Sequence, residues 1–211
     1  MKRIGIFGTS GMARETGDIA WDLGYEPIFV AKDESELETW SFPAEAILEA
    51  DVLRYKDIPF AIGIGDGLIR KVIAQRYFSN LKFINLIHTT ASFGYGQKAS
   101  IDETLGLIIC AGVRLTNNIK IGSFTIVNQN VTIAHDVVLG EFVHIASGCS
   151  VAGNVEIGDN CWIGSGSTIV QGSSLCKLQI GSHTIIGSGA VVLRSCEPRA
   201  VYVGVPAKRI K

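Results

Sequence analysis

The chain has 211 residues, a formal net charge of −1 and a charged fraction of 18%. This weak charge argues against nucleic acid or a membrane surface as a partner, because both attract strongly basic proteins. No stretch approaches the roughly 18 apolar residues that span a bilayer, and the apolar run after the N-terminal basic residues is too short for a signal peptide. We therefore expect a cytoplasmic protein that binds small molecules or further copies of itself.

Residues 1–88 alternate between short β-rich runs and helical patterns, which favours a parallel sheet covered by helices. The predicted strands are residues 3–8, 27–31, 59–65 and 82–87. One predicted helix has a face formed by Met12, Thr16, Ile19, Ala20 and Leu23. A second has a face formed by Ile69, Val72, Ile73 and Tyr77. The sequence thus predicts a small Rossmann-like domain over residues 1–88.

A glycine-rich turn follows the first predicted strand and precedes the first predicted helix. It contains Gly8, Thr9, Ser10 and Gly11. Backbone N–H groups and the helix dipole favour a phosphate at such a turn. The glycines do not follow the dinucleotide fingerprint G-x-G-x-x-G, so a tight turn that binds no ligand explains the pattern equally well.

Two further turns lie at the expected carboxyl ends of parallel strands, where such sheets bind ligands. Asp33 follows the second strand and could hold a ribose or a base. Gly65 and Asp66 form the tip of the turn in AIGIGDGLIRK. We predict that these residues line a substrate site together with the first turn.

A six-residue period replaces helical periodicity from about residue 92. Every sixth position is aliphatic from Ile109 to Leu175, and the period resumes at Ile180 after what the sequence suggests is a one-residue slip at a turn. Each hexapeptide would form one side of a triangular prism, and three sides would form a coil of 18 residues. The sequence therefore predicts a β-solenoid over residues 89–211.

A second inward row is expected four positions after each aliphatic residue, and it consists mostly of small side chains. This row contains two of the five cysteines, Cys149 and Cys161, and the chain has no C-x-x-C pair. We interpret all five cysteines as reduced packing residues and not as disulfides or zinc ligands. Glycines that directly follow the aliphatic residue, as in Leu139-Gly140, are expected at corners that need permissive backbone angles.

Several segments resemble the hexapeptide repeats of left-handed β-helix acyltransferases, namely IGSFTI, LGEFVH, IGDNCW, IGSGST and IGSHTI. The resemblance implies a left-handed helix, which the period alone does not determine, and a homotrimer with acyl-CoA sites between neighbouring prisms. An ice-binding or purely structural solenoid is the competing interpretation. That class would show a flat exposed face of repeated residues, whereas the outward residues here vary.

Two histidines interrupt the solenoid wall. His135 is followed by Asp136, which could orient its imidazole if the backbone turns there and lets both side chains meet. Gly153 stacks one coil after His135 and could leave room for a thioester. His144 lies half a coil after His135, on another side of the prism, so the two could share a site only across a subunit boundary.

A metal site is the weaker interpretation of these residues. No two histidines have a short ligand spacing, and the cysteines are scattered. His88 and His183 have no comparable setting and are expected to be structural or surface residues. We therefore predict no metal.

The segment NQNVTIAHDVVLGEFVHIASGCSVAGNVEIG resembles nucleotide-sugar acetyltransferases related to bacillosamine and sialic acid biosynthesis. This resemblance implies that His135 is the general base with Asp136 as its partner, and that His144 contacts the acetyl thioester of acetyl-CoA. It also implies that Asn128 and Gly153 line the same cleft.

The segments GTSG and IGDGLIR and the region of Asp33 resemble the UDP-sugar-binding domain of that family. Two positions depart from it, because Lys32 replaces an acidic residue and Met12 replaces a histidine that some members carry. The expected activity is acetyl-CoA-dependent N-acetylation of the 4-amino group of a UDP-linked amino-dideoxy sugar. The alternatives are O-acetylation of sialic acid or another sugar, and a scaffold without catalysis.

Overall fold

A computed structural model describes residues 1–211, and its N-terminal part is a five-stranded parallel sheet flanked by helices. The strands are β1 (Lys2–Phe7), β2 (Tyr25–Ala31), β3 (Ala46–Leu48), β4 (Pro59–Ile62) and β5 (Lys82–Phe83). The helices are α1 (Gly11–Asp22), α2 (Glu34–Glu38), a 3-10 helix (Glu49–Tyr55) and α3 (Gly67–Tyr77). The sheet order is β3-β2-β1-β4-β5. All four predicted strands are thus present at least in part.

Two details of this part differ from the prediction. The run 82–87 is not one strand, because β5 ends at Phe83 and the chain then enters the prism. The predicted face of α3 is only partly correct, since Ile73 is buried but Ile69 and Val72 are 50% and 52% exposed, whereas Arg70 is 1% exposed. Helical periodicity could not identify this face, because an arginine occupies the buried side.

The remainder of the chain forms a prism of short strands with one helix, α4 (Gln97–Asp102), inserted near its start. Its strands are β6 (Leu86–Ile87), β7 (Ser92–Phe93), β8 (Ile108–Ile109), β9 (Arg114–Leu115), β10 (Lys120–Ile121), β11 (Ile126–Val127), β12 (Thr132–Ile133), β13 (Val138–Leu139), β14 (His144–Ile145), β15 (Ser150–Val151), β16 (Val155–Ile157), β17 (Trp162–Ile163), β18 (Thr168–Ile169), β19 (Leu178–Ile180), β20 (Ile185–Ile186), β21 (Val191–Val192), β22 (Val201–Val203) and β23 (Lys208–Arg209).

These strands stack into three sheets, one for each side of the prism. The sheet orders are β10-β13-β16-β19, β6-β8-β11-β14-β17-β20-β22-β23 and β7-β9-β12-β15-β18-β21. Neighbouring strands are parallel except at the terminal pair of β22 and β23. His144 pairs with Ile126 on one side and Trp162 on the other, each 18 residues away, which confirms the predicted coil length.

Both predicted inward rows fill the interior of the prism. The second row is at most 2% exposed at each of its ten positions: Val113, Ile119, Thr125, Val131, Val137, Val143, Cys149, Val155, Cys161 and Ser167. Four of the cysteines are buried, as a packing role requires. Cys176 is exposed and is not a packing residue.

The irregularity after β18 is an insertion, not a one-residue slip. Thr168 pairs with Val191, 23 residues further on, so this coil contains five more residues than its neighbours. Leu175, which continues the six-residue period in the sequence, is 97% exposed on the inserted loop. Its match to the period is therefore coincidental.

Left-handed backbone angles recur at every sixth residue and mark one set of corners. They occur at Gly106, Gly112, Asn118, Phe124, Asn130, Asp136, Phe142, Gly148, Asn154, Asn160 and Gly166. The glycines expected at the corners, such as Gly140, do not have positive φ. A Cβ at Gly140 would instead lie 2.3 Å from Asp159 Oδ1 of the next coil, so close coil stacking is what requires glycine there.

The sheet packs against the prism through a shared apolar core and one buried cation. Ile6 of β1 and Ile19 of α1 share a cluster with Ile108 and Ile126 of the prism. Arg70 of α3 spans the junction with hydrogen bonds to carbonyl groups on both sides. No helix in the structure is long and apolar enough to cross a bilayer.

Candidate active site

The first glycine-rich turn leaves β1 at the carboxyl edge of the sheet. Gly8 has φ +112°, and its N–H donates to Val30 O at 3.0 Å. A side chain at Gly8 would press against Ile64 and Gly63 O at 3.1 and 3.2 Å. Ser10 begins α1 without a side-chain cap bond, so the first N–H groups of a 12-residue helix remain available to an anion.

This turn opens into a cavity of about 320 Å³ in the N-terminal part. One wall consists of apolar side chains from β1, β2, α3 and the turn before α3, which explains why Ile69 and Val72 are exposed. The polar lining has both signs: Thr9, Ser10, Lys32, Glu36, Glu49 and Arg76. The predicted residues Gly8, Thr9 and Ser10 therefore line one cavity, whereas Gly11 lies beside it at the start of α1.

Asp33 does not line this cavity. Its carboxylate caps α2 by accepting from Glu36 N at 3.0 Å, and this bond is the main reason that its pKa is lowered. Glu36 occupies the cavity instead, where its Oε2 accepts from Thr9 Oγ1 and Lys32 N, both at 3.0 Å. The capping-box pattern Asp33-x-x-Glu36 was the sequence signal that could have identified this residue.

The second glycine-rich turn connects β4 to α3 and lies against the prism. Asp66 caps α3 by accepting from Leu68 N at 2.8 Å and Ile69 N at 3.1 Å. A Cβ at Gly65 would lie 3.5 Å from Trp162 and 3.6 Å from His144 Cε1. The structure therefore places Gly65 beside His144, whereas Asp66 caps α3.

His144 is enclosed between this turn and the prism wall. It is 4% exposed, and its ring stacks on Trp162 with a centroid distance of 4.2 Å and an interplanar angle of 6°. Burial, and then the charge of Arg70, lower its pKa to about 4. Its Nδ1 is buried without a hydrogen-bond partner. His144 is thus a neutral imidazole near pH 7, and a buried polar atom of this kind has an unsatisfied capacity to bind.

His135 and Asp136 form a hydrogen-bonded pair at a corner. Asp136 has φ +61°. This left-handed turn brings the side chains of adjacent residues together, whereas a strand would point them to opposite faces. The distance from His135 Nδ1 to Asp136 Oδ2 is 2.7 Å, and both side chains are half-buried. This bond is the first cause of the lowered pKa of Asp136, and a bond from Asn118 is the second. The ionised carboxylate assigns the proton to Nδ1 and leaves Nε2 as the basic nitrogen.

Gly153 lies beneath the imidazole of His135, one coil further along. A Cβ at Gly153 would lie 2.6 Å from both Cε1 and Nε2 of His135. The space that the sequence suggested for a thioester is therefore filled by the histidine ring itself. The N–H of Gly153 donates to no acceptor within the chain.

The other predicted cofactor residue, Asn128, follows β11, the strand that pairs with the His144 strand, and its N–H donates to Ile145 O at 2.9 Å. It is 8% exposed, and its Oδ1 accepts from Cys110 Sγ at 3.3 Å. His135 follows β12 on one side of the prism, whereas His144 belongs to β14 on another side. One chain thus holds two separate groups, His135 with Asp136 and Gly153, and His144 with Gly65.

The structure contains no cluster of three or more His, Cys, Asp or Glu side chains arranged to hold a metal ion. His88 interacts locally, with Nδ1 accepting from Thr90 N at 3.1 Å. His183 lies at a corner with φ +63°, and its Nδ1 is 3.0 Å from Asn160 Nδ2.

Two family models match the two structural parts of the chain. Residues 3–77 match the PglD N-terminal domain, and residues 136–171 match the bacterial transferase hexapeptide model of six repeats. The chain thus combines a segment similar to the PglD N-terminal domain with a segment similar to hexapeptide-repeat transferases. These two matches confirm the predicted family resemblance and the fold class, an α/β domain followed by a left-handed parallel β-helix.

Solved structures share this transferase fold over almost the whole chain. WeeI from Acinetobacter baumannii AYE is 26% identical, with a TM-score of 0.84 and full coverage of both chains. The acetyltransferase domain of PglB from Neisseria gonorrhoeae FA1090 is 23% identical, with a TM-score of 0.85 and full coverage of both chains. PerB from Caulobacter crescentus, solved with CoA and GDP-perosamine, is 22% identical with a TM-score of 0.84, covering 100% of this chain and 98% of its own.

Proposed function

We propose that the protein is an acetyl-CoA-dependent N-acetyltransferase that acts on the 4-amino group of a UDP-linked amino-dideoxy sugar, as in formation of UDP-N-acetylbacillosamine. The observation that carries this proposal is the His135–Asp136 pair, in which a carboxylate fixes the imidazole and leaves Nε2 basic. This is the arrangement that a general base needs to accept a proton from an attacking nucleophile.

The proposed reaction is direct transfer. The amine nitrogen attacks the thioester carbonyl carbon, a C–N bond forms and the C–S bond breaks. His135 Nε2 accepts the amine proton, Asp136 stabilises the resulting imidazolium, and the proton then passes to the departing CoA thiolate. In this mechanism no covalent intermediate forms on the protein.

The acetyl group requires groups that stabilise negative charge on its carbonyl oxygen. In this proposal the neutral imidazole of His144 and the unpaired N–H of Gly153 supply that contact. His144 and His135 lie on different sides of one prism, so we propose that a neighbouring copy completes each site within a homotrimer. PglB has been solved with acetyl coenzyme A and PerB with CoA, which supports acetyl-CoA as the donor.

The cavity in the N-terminal part is the proposed acceptor site. The open start of α1 and the cations Lys32 and Arg76 suit a diphosphate, and the apolar wall suits a base or a deoxysugar. Gly8, Thr9, Ser10 and Gly11 are assigned to this nucleotide. Gly65 and Asp66 lie on the side facing His144, between the nucleotide cavity and the prism.

The test is incubation of the purified protein with acetyl-CoA and a panel of amino sugars linked to UDP, GDP or dTDP, with free and CMP-linked sialic acid included. Mass spectrometry identifies the product, and thiol release gives the rate. We expect a product 42 Da heavier from a UDP-linked 4-amino sugar, since acetylation adds C2H2O. A product from sialic acid alone would identify the O-acetyltransferase alternative, and no thiol release with any acceptor would identify a scaffold without catalysis.

The His135 assignment has its own test. His135→Ala should lower kcat by roughly 10²- to 10⁴-fold, the usual effect of losing a general base. His183→Ala is the matched control, because His183 is also a corner histidine on the prism. Equal turnover by the two variants would contradict the proposed mechanism.

A further inference from the structure

The Asp136 carboxylate has two hydrogen-bond partners, His135 and Asn118. Asn118 lies one coil earlier at the same corner, with φ +54° against +61° for Asp136. Its Nδ2 donates to Asp136 Oδ1, while Oδ2 faces His135 Nδ1. The two carboxylate oxygens therefore have different partners, so the group cannot rotate without breaking one of these contacts.

The inserted loop reaches the same corner from the C-terminal side, opposite to Asn118. It leaves the wall after β18, one coil on from Gly153, and Gly172 N at its start donates to Gly153 O at 3.0 Å. Within the loop, Ser173 N donates to Cys176 O and Cys176 N to Ser173 Oγ, both at 2.9 Å. This closed turn ends at Lys177, whose Nζ donates to the backbone carbonyl of Asp136.

We propose that Asn118 and Lys177 are positioning residues for His135, in that Asn118 fixes the Asp136 carboxylate and Lys177 fixes the backbone that carries it. The inference rests on the proposed role of His135 as the base. Asn118 donates to the Asp136 carboxylate and Lys177 to the Asp136 carbonyl, so each acts through Asp136. Lys177 can do so only because of the five extra residues in its coil.

A simpler account is that asparagine occurs at this corner only because it tolerates left-handed angles. Asn130 distinguishes the two accounts. It has φ +57° and is exposed like Asn118, but its side chain lies against Gly112 and does not contact Asp136. Glycine is the suitable replacement at both positions, because it keeps the left-handed turn and removes only the amide.

We expect Asn118→Gly to lower kcat roughly tenfold, the effect of one lost hydrogen bond to a charged group, with KM for acetyl-CoA unchanged. Asn130→Gly should leave kcat unchanged. Lys177→Met should lower kcat a few-fold, since it frees the backbone but leaves both carboxylate contacts. A fall in thermal stability without a fall in kcat at unchanged KM would indicate a purely structural role and overturn the proposal.

A second measurement does not depend on turnover. The pKa of Asp136 is lowered by its bonds from His135 and Asn118, with the charge of Lys177 adding to them. Carboxyl NMR titration should therefore show a higher pKa of Asp136 in Asn118→Gly than in Asn130→Gly. Asn118→Asp should raise it further, because a second carboxylate would replace the donor.

The outcomes separate the two proposals. Equal Asp136 titrations in Asn118→Gly and Asn130→Gly would overturn the present inference whatever the activity. Absence of acetyl transfer by the wild-type protein would instead overturn the proposed function, while a retained difference between the two titrations would still support the contact from Asn118.

Discussion

Replacement of Arg70 by methionine should destabilise the whole molecule, because one buried guanidinium joins its two parts. Arg70 is 1% exposed and donates to Phe124 O, Ile64 O, Gly65 O, Phe142 O and Val143 O at 2.6 to 3.0 Å. Four of these carbonyls accept no other hydrogen bond, whereas Val143 O also accepts from Ile126 N. Burial lowers the pKa of Arg70 to about 10, which still leaves it charged near pH 7.

The expected loss in the free energy of unfolding follows from these contacts. Each carbonyl left unpaired in a buried site costs about 1 to 2 kcal/mol, so four cost roughly 4 to 8 kcal/mol. Removing the guanidinium also removes the free-energy cost of burying its charge, which is several kcal/mol. The net destabilisation should be about 3 kcal/mol, and Tm should fall by about 6 to 12 °C for a chain of this size.

Denaturant unfolding and differential scanning calorimetry measure this effect. Arg76→Met is the matched control, because Arg76 lies on the same helix but is 55% exposed, and its partner Glu49 keeps a hydrogen bond from Tyr77 when Arg76 is removed. Arg70→Lys should fall between the two, since three donors from one point cannot reach all the carbonyls. If Arg70→Met were no less stable than Arg76→Met, the assignment of Arg70 as the link between sheet and prism would be wrong.

Three further predictions concern His144, Gly153 and Leu175. Because the pKa of His144 is lowered to about 4 from an ordinary value near 6.5, only the unfolded chain binds its proton between these values. Stability should fall by about 2 kcal/mol from pH 7 to pH 5 by denaturant unfolding, and His144→Gln should remove this part of the pH dependence. Gly153→Ala should displace the imidazole of His135, since its Cβ would lie 2.6 Å from Nε2, and acetyl transfer should fall at least tenfold by thiol release while the far-UV spectrum is kept. Leu175→Asp should change the free energy of unfolding by less than about 0.5 kcal/mol, because the side chain is 97% exposed; a large loss would show that this leucine has a packing partner.

The interior of the prism was predictable because one physical requirement repeats at every coil. Each side of the prism must bury one aliphatic and one small side chain, so positions such as Ile133 and Val137 recur with a period of six. The insertion left only a one-residue slip in the sequence period, since Leu175 satisfies the period by chance. Only the strand pairing of Thr168 with Val191 reveals the extra residues.

The candidate site was less predictable because its contacts join distant parts of the chain. The His135–Asp136 pair and its stacking on Gly153 follow from local sequence and the 18-residue coil. Lys177 reaches Asp136 from the insertion, and Glu36 lines the N-terminal cavity while Asp33 is engaged as a cap. The Lys177 contact does not follow from spacing in the sequence, whereas the Asp33-x-x-Glu36 spacing indicates a helix cap but not a cavity.

The corners of the prism with left-handed backbone angles follow a residue preference that has two exceptions. Glycine, asparagine and aspartate tolerate left-handed angles, and they occupy nine of the eleven regular corners from Gly106 to Gly166. The exceptions are Phe124 and Phe142, with φ +57° and +56°, where a bulky side chain makes the conformation costly. Their rings stack at 5.4 Å, and both carbonyls accept from Arg70. The two corners that break the pattern are therefore both held by Arg70 of the N-terminal part, and this contact helps to stabilise the strained backbone there.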